Sequence, residues 1–133
     1  DTRFILSPAE DVLLDEQFDY ITSCYIPKYA DLPRLVPNMV KMLAPGGLFI
    51  MQDFAFPSEE RVQKLFWAHF KRIKARTEEL PDWSTMWDRL PTVIEKSTWI
   101  EDLSSLMKAE GLQDVQTVEQ SMGMSALVMG RKA

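Results

Sequence analysis

A chain of 133 residues, 46% hydrophobic and 26% charged, has the size and core material of one domain. Its net charge of −5 argues against a general nucleic-acid binder. A single cysteine, Cys24, rules out an intrachain disulfide and a cysteine-based zinc cluster; no apolar run approaches the about 18 residues of a membrane span, and with no signal peptide in view the expectation is a cytoplasmic protein.

Arg3-Phe4-Ile5-Leu6 reads as a short strand ended by Ser7-Pro8, so the chain is expected to begin within a domain. Ala9 to Gln17 is a polar connection in which Val12, Leu13 and Leu14 can pack. Phe18 to Tyr25 is rich in β-branched and aromatic residues and is predicted to be a second strand. Asp31 is the candidate N-cap of a helix with Pro33 in its first turn. Its apolar positions Leu32, Leu35, Val36, Met39, Val40 and Leu43 recur at three and four residues. Pro37 removes a backbone donor within it, so the helix either kinks or starts late. Pro45-Gly46-Gly47 is predicted to stop it, and Leu48 to about Phe54 to follow as a buried strand.

Ser58 is the next candidate N-cap, with Glu59 and Glu60 well placed against the helix dipole. Val62, Leu65, Phe66, Phe70 and Ile73 make the apolar face of a helix expected to end at Pro81. Trp83 to Pro91 is an aromatic-rich piece with room for a helical turn or two. Ser97 or Thr98 caps a further helix, with Glu101 placed for a capping box and Gly111 as its stop. Val115–Val118 and Ala126–Met129 are predicted to pair as an antiparallel hairpin. Alternating strands and helices imply an α/β fold with an open, mostly parallel sheet and this hairpin at its edge.

Four passages, in order, resemble class I S-adenosylmethionine-dependent methyltransferases, in particular the small-molecule enzymes of ubiquinone and menaquinone biosynthesis. Ala9-Glu10 with Phe18-Asp19 resembles the family's passage after its third strand. Ile21 to Tyr25 resembles the fourth strand and its tip. Leu43-Ala44-Pro45-Gly46-Gly47-Leu48-Phe49-Ile50 resembles the proline-glycine-glycine signature leading into the fifth strand. Leu106 to Leu112, with Ala109-Glu110-Gly111, resembles the last helix end before the terminal strand pair.

The resemblance implies a Rossmann-like methyltransferase sheet represented here by its C-terminal portion, with the N-terminal strands missing. It implies S-adenosylmethionine as cofactor and a small-molecule methyl acceptor. The glycine-rich cofactor loop and the acidic residue for the ribose hydroxyls have no counterpart, since glycine occurs only at 46, 47, 111, 123 and 130. Pro8 stands where relatives often carry Asp or Asn, so weak or absent cofactor binding is expected. Residues 58–97 correspond to the region where the family often inserts a cover for its acceptor.

By this resemblance Ala9, Glu10, Ser23, Cys24 and Tyr25 are the candidate cofactor-side residues, and Ser23 to Tyr25 can equally be core packing. Asp53, Trp67, Trp83 and Trp87 are the candidates on the acceptor side, with a turn or capping role the stronger reading for Asp53 and plain packing of the insertion onto the core an equal one for the tryptophans. Phe66 and Met86 share that aromatic and methionine-rich character. Asp19 is read as structural, at the strand entrance. His69, the single histidine, is read as a surface or partly packed residue rather than a general base. Lys71, Arg72, Lys74 and Arg76 form a basic cluster that can meet an anionic acceptor, phosphate or membrane headgroups. Glu59, Glu60, Glu78 and Glu79 on the same segment favour a mixed solvated face. No catalytic residue and no metal site is assigned.

Two functional expectations stand. One is the C-terminal portion of a methyltransferase, inactive alone. The other is a non-catalytic module that dimerises or docks through an unpaired sheet edge.

Overall fold

The computed structural model describes residues 2–77 and 79–133, leaving aside the side chains of Pro81, Asp82 and Ser84. Asp1, and Glu78 of the acidic set above, lie outside the described residues. The elements are β1 (Phe18–Cys24), α1 (Leu32–Met42), β2 (Leu43–Phe54), α2 (Glu60–Arg76), α3 (Pro81–Lys96), α4 (Trp99–Ala109), β3 (Gln113–Gln120) and β4 (Ser125–Arg131). The strands form one sheet in the order β1-β2-β4-β3. β1 and β2 are parallel and joined through α1, whereas β4 is antiparallel to both β2 and β3. This is an α/β fold whose parallel pair carries the crossover helix and whose terminal strands form the expected hairpin.

Alternation along β2 sorts its side chains between the two faces. Phe49, Met51 and Asp53 are buried on the face that α1 and α4 cover, together with Ala126 and Val128 of β4. Leu48, Ile50, Gln52 and Phe54 are only half-buried on the other face. A second, smaller cluster of Phe66, Phe70, Leu90 and Ile94 joins α2 to α3 and rests on Phe54, Phe56, Trp87 and Met124.

Several boundaries differ from expectation. Arg3–Leu6 forms no strand: its apolar side chains are exposed and Arg3 is held instead by Glu16 at 2.8 Å. A strand needs a hydrogen-bonding neighbour, and none lies beside this segment among the described residues. Helix α1 begins at Leu32 and runs through Pro37, so it does not start late; it forgoes the one bond that the proline nitrogen would donate.

The Pro45-Gly46-Gly47 passage is not the helix stop but an irregularity inside β2, which begins at Leu43. Pairing jumps from Phe18 opposite Leu43 to Tyr20 opposite Leu48, and the extra residues are absorbed where Gly46 takes φ +77°. The carbonyls at the end of α1 are met by the Lys132 ammonium, which donates to Val40 at 2.8 Å and Leu43 at 2.7 Å.

Pro81 opens a helix rather than closing one. It sits in the first turn of α3, where its missing N–H costs nothing, and that helix spans 16 residues instead of a turn or two. The N-cap of α2 is Glu59, not Ser58. The Thr98 hydroxyl at the start of α4 turns to the Asp102 carboxylate at 2.7 Å, so no capping box with Glu101 forms. Gly111 does end α4 as expected, with φ +82° and the amide of Leu112 returning to Met107 at 3.0 Å.

Candidate functional site

The carboxyl ends of β1 and β2 lie side by side, the place where open α/β sheets hold ligands. At β1 the chain leaves through Tyr25, whose φ of +64° turns it sharply out of the sheet. Its amide still bonds the Gln52 carbonyl at 2.9 Å, so the turn is anchored to β2. The loop that follows, Pro27 to Ala30, folds back over the end of β2.

What holds it there is an ion pair absent from the sequence-based candidates. Lys28 Nζ lies 2.6 Å from Asp53 Oδ1, with the two side chains 2% and 0% exposed. The ammonium also donates to the Tyr25 carbonyl at 3.2 Å. It lies 4.6 Å from the centroid of the Tyr29 ring, with the Phe54 and Tyr25 rings at 5.7 and 5.9 Å. The Asp53 carboxylate further accepts the backbone amides of Lys28 at 3.3 Å and Phe54 at 2.7 Å. Burial raises the Tyr29 phenol above its ordinary pKa, and the Asp53 charge adds to that rise. Asp53 is thus engaged within the protein, beneath the aromatic rings rather than at an open surface.

Phe54 links this cluster to a groove. Its ring lies 5.1 Å from Tyr25 on one side and 6.3 Å from Phe70 on the other. The Trp99 indole fixes the backbone beneath it by donating to the Phe54 carbonyl at 2.8 Å. Beyond Phe54, α2, α3 and the tip of the β3–β4 hairpin enclose about 540 Å³. The lining is largely apolar, with Phe66, Phe70, Trp87, Met122 and Met124 around Phe54, and His69 and Arg72 at its rim. Trp87 lines the groove, and its Nε1 is buried without a hydrogen-bond partner. Trp83 stacks on Trp87 at 6.3 Å. Trp67 stands apart, edge-on to Phe56 and Phe66 and outside the groove lining. His69 meets the edge of Phe70 at 5.8 Å.

The cofactor-side candidates separate into three groups. Ala9 and Ser23 line a hollow of about 380 Å³ along β1 whose other walls are largely apolar, among them Val12, Ile21, Leu35 and Met51. Glu10 faces α1 instead: it accepts the Asp31 amide at 3.1 Å, and its carbonyl takes the Asn38 side chain at 2.8 Å. Hydrogen bonds from the backbone amides of Glu10 itself and of Asp31 hold its carboxyl below the ordinary glutamate pKa. Cys24 is exposed at the strand end, and Tyr25 belongs to the aromatic cluster already described.

Lys28 escaped the sequence reading because its partner is 25 residues away. The one local signal is a lysine between Pro27 and Tyr29 directly after a strand. Met122 and Met124 escaped because a hairpin link gives no hint of what its tip touches.

Among known proteins, 129 residues align with the ubiquinone/menaquinone biosynthesis C-methyltransferase UbiE of Geobacter sulfurreducens at 22% identity, covering 96% of this chain and 50% of that protein. The UbiE of Idiomarina loihiensis aligns at 24% identity over 98% of this chain and 53% of its own length. The chain therefore spans about half the length of the curated relatives it matches. Among solved structures, the N-methyltransferase NodS of Bradyrhizobium japonicum, determined with S-adenosyl-L-homocysteine, superposes with a TM-score of 0.54 at 19% identity. That likeness covers 96% of this chain and 53% of NodS and speaks for the fold alone. The model of the ubiE/COQ5 methyltransferase family matches residues 1–132, and on that match, with the sheet and its crossover helix in place, this chain belongs to the ubiE/COQ5 methyltransferase family.

Proposed function

We propose that this chain forms the acceptor-side half of an S-adenosylmethionine-dependent methyltransferase acting on a flat, largely apolar small molecule. The observation that carries the reading is the aromatic groove of about 540 Å³ opening beside Phe54, at the end of a strand parallel to its neighbour. Residues 58–97 act as the acceptor cover, with Trp87 and the stacked Trp83 as its aromatic wall. Asp53 serves by holding Lys28, and with it the Tyr25–Phe54 wall, rather than by touching the acceptor. Trp67 supports Phe66 from behind.

Toward the methyl donor the residues present offer one wall. Ala9 and Ser23 border the apolar hollow on β1, with Cys24 and Tyr25 at the strand tip; Glu10 braces α1. None of the five glycines forms a loop at this strand end, and among the described residues no carboxylate lines the hollow to meet ribose hydroxyls. These residues do not make a complete site for a sulfonium nucleoside, so no chemical step is assigned to them, and the chain alone is inactive. Calorimetric titration with S-adenosylmethionine should show no strong binding. Quenching of tryptophan fluorescence by naphthol should show saturable binding that Phe54→Ala weakens. Saturable quenching that ignores Phe54→Ala would overturn the acceptor reading.

A second reading, a docking module, is favoured by one observation. Among the described residues the outer edge of β1 has no neighbouring strand, and Tyr20 on it is 71% exposed. On this reading the chain pairs with a second copy or with a partner that supplies strands for that edge. Sedimentation velocity decides: a clean monomer at high concentration removes the homodimer.

A further inference from the structure

The polar groups around the aromatic groove are unequally matched. Its hydrogen-bond acceptors are used by the chain itself. The Ser121 carbonyl takes the Met124 amide at 3.2 Å, and the Met124 carbonyl takes the Ala55 amide at 3.0 Å. The Ile73 carbonyl takes the Thr77 hydroxyl at 3.1 Å. The Ser125 hydroxyl accepts from Gln52 Nε2 at 2.8 Å and turns its own hydrogen to Gln120 Oε1 at 3.4 Å.

The donors are not matched in this way. Trp87 Nε1 is buried without an acceptor, which costs free energy for as long as none is supplied. Arg72 is the one charged side chain among the described lining residues. Lys64 and Lys74 on the same helix pair with Glu60 and Asp88, whereas Arg72 forms no ion pair among the described residues. Its guanidinium presents a planar fork of N–H donors and accepts nothing. His69, at the same rim, can add a donor from one ring nitrogen. What this lining lacks is acceptors, and the sign of its charge is positive.

Spacing places the cation at one end of the apolar surface. Leu65, Ala68 and Arg72 recur at three and four residues, so they form a row along α2. From Leu65 to Arg72 that row runs about 10 Å along the helix axis. Two fused rings lying against Leu65 and the small Ala68 therefore bring a substituent to the guanidinium.

We propose that the groove selects an aromatic acid. The flat apolar body lies against Phe54 and Trp87, and its carboxylate is gripped at the rim by Arg72, with His69 beside it. Carboxylate and guanidinium match as two parallel N–H···O bonds, which fixes the orientation of the ring as well as its charge. Arg72 is thus the specificity-determining residue of the groove. The inference rests on the acceptor reading above for the ligand's body and adds its charge and its direction.

The test is equilibrium dialysis of the full chain, without methyl donor, against naphthoate and against the neutral naphthamide of nearly the same shape. Naphthoate should bind about five- to tenfold tighter, the worth of a well-oriented charged pair at an exposed rim, and added salt should narrow the margin. Arg72→Gln should bring the two ligands within about twofold of each other, whereas Arg72→Lys, which keeps the charge and loses the fork, should keep part of the margin. Lys71→Gln is the control for the charge of the helix as a whole. Lys71 is as exposed and as unpaired as Arg72 but does not line the groove, so its loss should leave the margin unchanged. Both positions are solvent-exposed, and folding, checked by circular dichroism, should be unaffected. Equal binding of the two ligands overturns the proposal, as does binding of neither. A margin that survives Arg72→Gln, or falls as far in Lys71→Gln, overturns it as well. Naphthamide binding that Phe54→Ala weakens, with no preference for naphthoate, leaves the acceptor reading standing and removes this inference alone.

Discussion

Replacing Lys28 by methionine keeps the length of the side chain and removes its charge. The carboxylate left behind, Asp53, is 0% exposed and would retain two backbone amides, at 2.7 and 3.3 Å. Removing one partner of a buried pair costs about 3–5 kcal/mol, because the other charge stays in a low-dielectric site. The longer amide contact compensates little, so the loss should fall in that range. A chain of this length has a total stability of about 7–20 kcal/mol, so the variant should be visibly weakened yet foldable. Urea unfolding followed by tryptophan fluorescence measures the change as a lowered midpoint at constant slope. The double variant Lys28→Met/Asp53→Asn supplies the decisive comparison. It removes both charges, keeps an oxygen for the Phe54 amide, and should recover most of the loss. A single variant within about 1 kcal/mol of the parent would mean the pair behaves like an exposed one. A double variant as weak as the single would mean that the lysine acts through something other than its charge. Either result refutes the argument that this pair closes the strand ends.

Gly47→Ala should cost about 1–3 kcal/mol in the same urea assay, because its Cβ would lie 2.8 Å from the Ala44 carbonyl oxygen, a backbone atom that cannot swing aside. Glu10 has a folded-state pKa below the ordinary 4.5, so its contribution is full above that pH and is lost as pH falls through the folded value. Acid unfolding of Glu10→Gln should accordingly lack part of the loss that the parent shows below about pH 4.5.

Order and type of the elements were legible because apolar spacing is local. The recurrence of Leu32, Leu35, Val36, Met39 and Val40 predicts the buried face of α1, and those five residues are buried. What was not legible depends on neighbours distant in sequence. Pro45-Gly46-Gly47 carries the residues of a helix stop, but the carbonyls at the end of α1 are satisfied by Lys132, about ninety residues on, and the glycines are used to shift strand register. Pro81 carries the residue type of a stop and of a start alike, and only the helix that follows decides between them. Arg3–Leu6 has strand composition, but a strand also requires a partner. At the site, the tryptophans were visible as residue types, while Lys28 was not, since pairing across 25 residues leaves no periodic trace.

The strand order explains why the two sides of the site differ in completeness. Because β4 runs antiparallel to β2, the carboxyl end of β2 meets the amino end of β4, with Phe54 opposite Ser125. The hairpin tip preceding β4 is thereby carried to the same sheet edge, and the Ala55 amide bonds the Met124 carbonyl at 3.0 Å to keep it there. A groove between α2, α3 and that tip is therefore built wholly from elements this chain contains. The hollow along β1 differs, because among the described residues its strand has a neighbour on one side only. Its apolar floor of Ile21, Leu35 and Met51 is shaped by α1 and β2, but nothing among the described residues closes it from the outer edge. A ligand held in the aromatic groove thus meets a surface already set by Lys28, Asp53 and Trp99. One held along β1 would meet a single wall, and affinity falls steeply when most of a ligand remains in water.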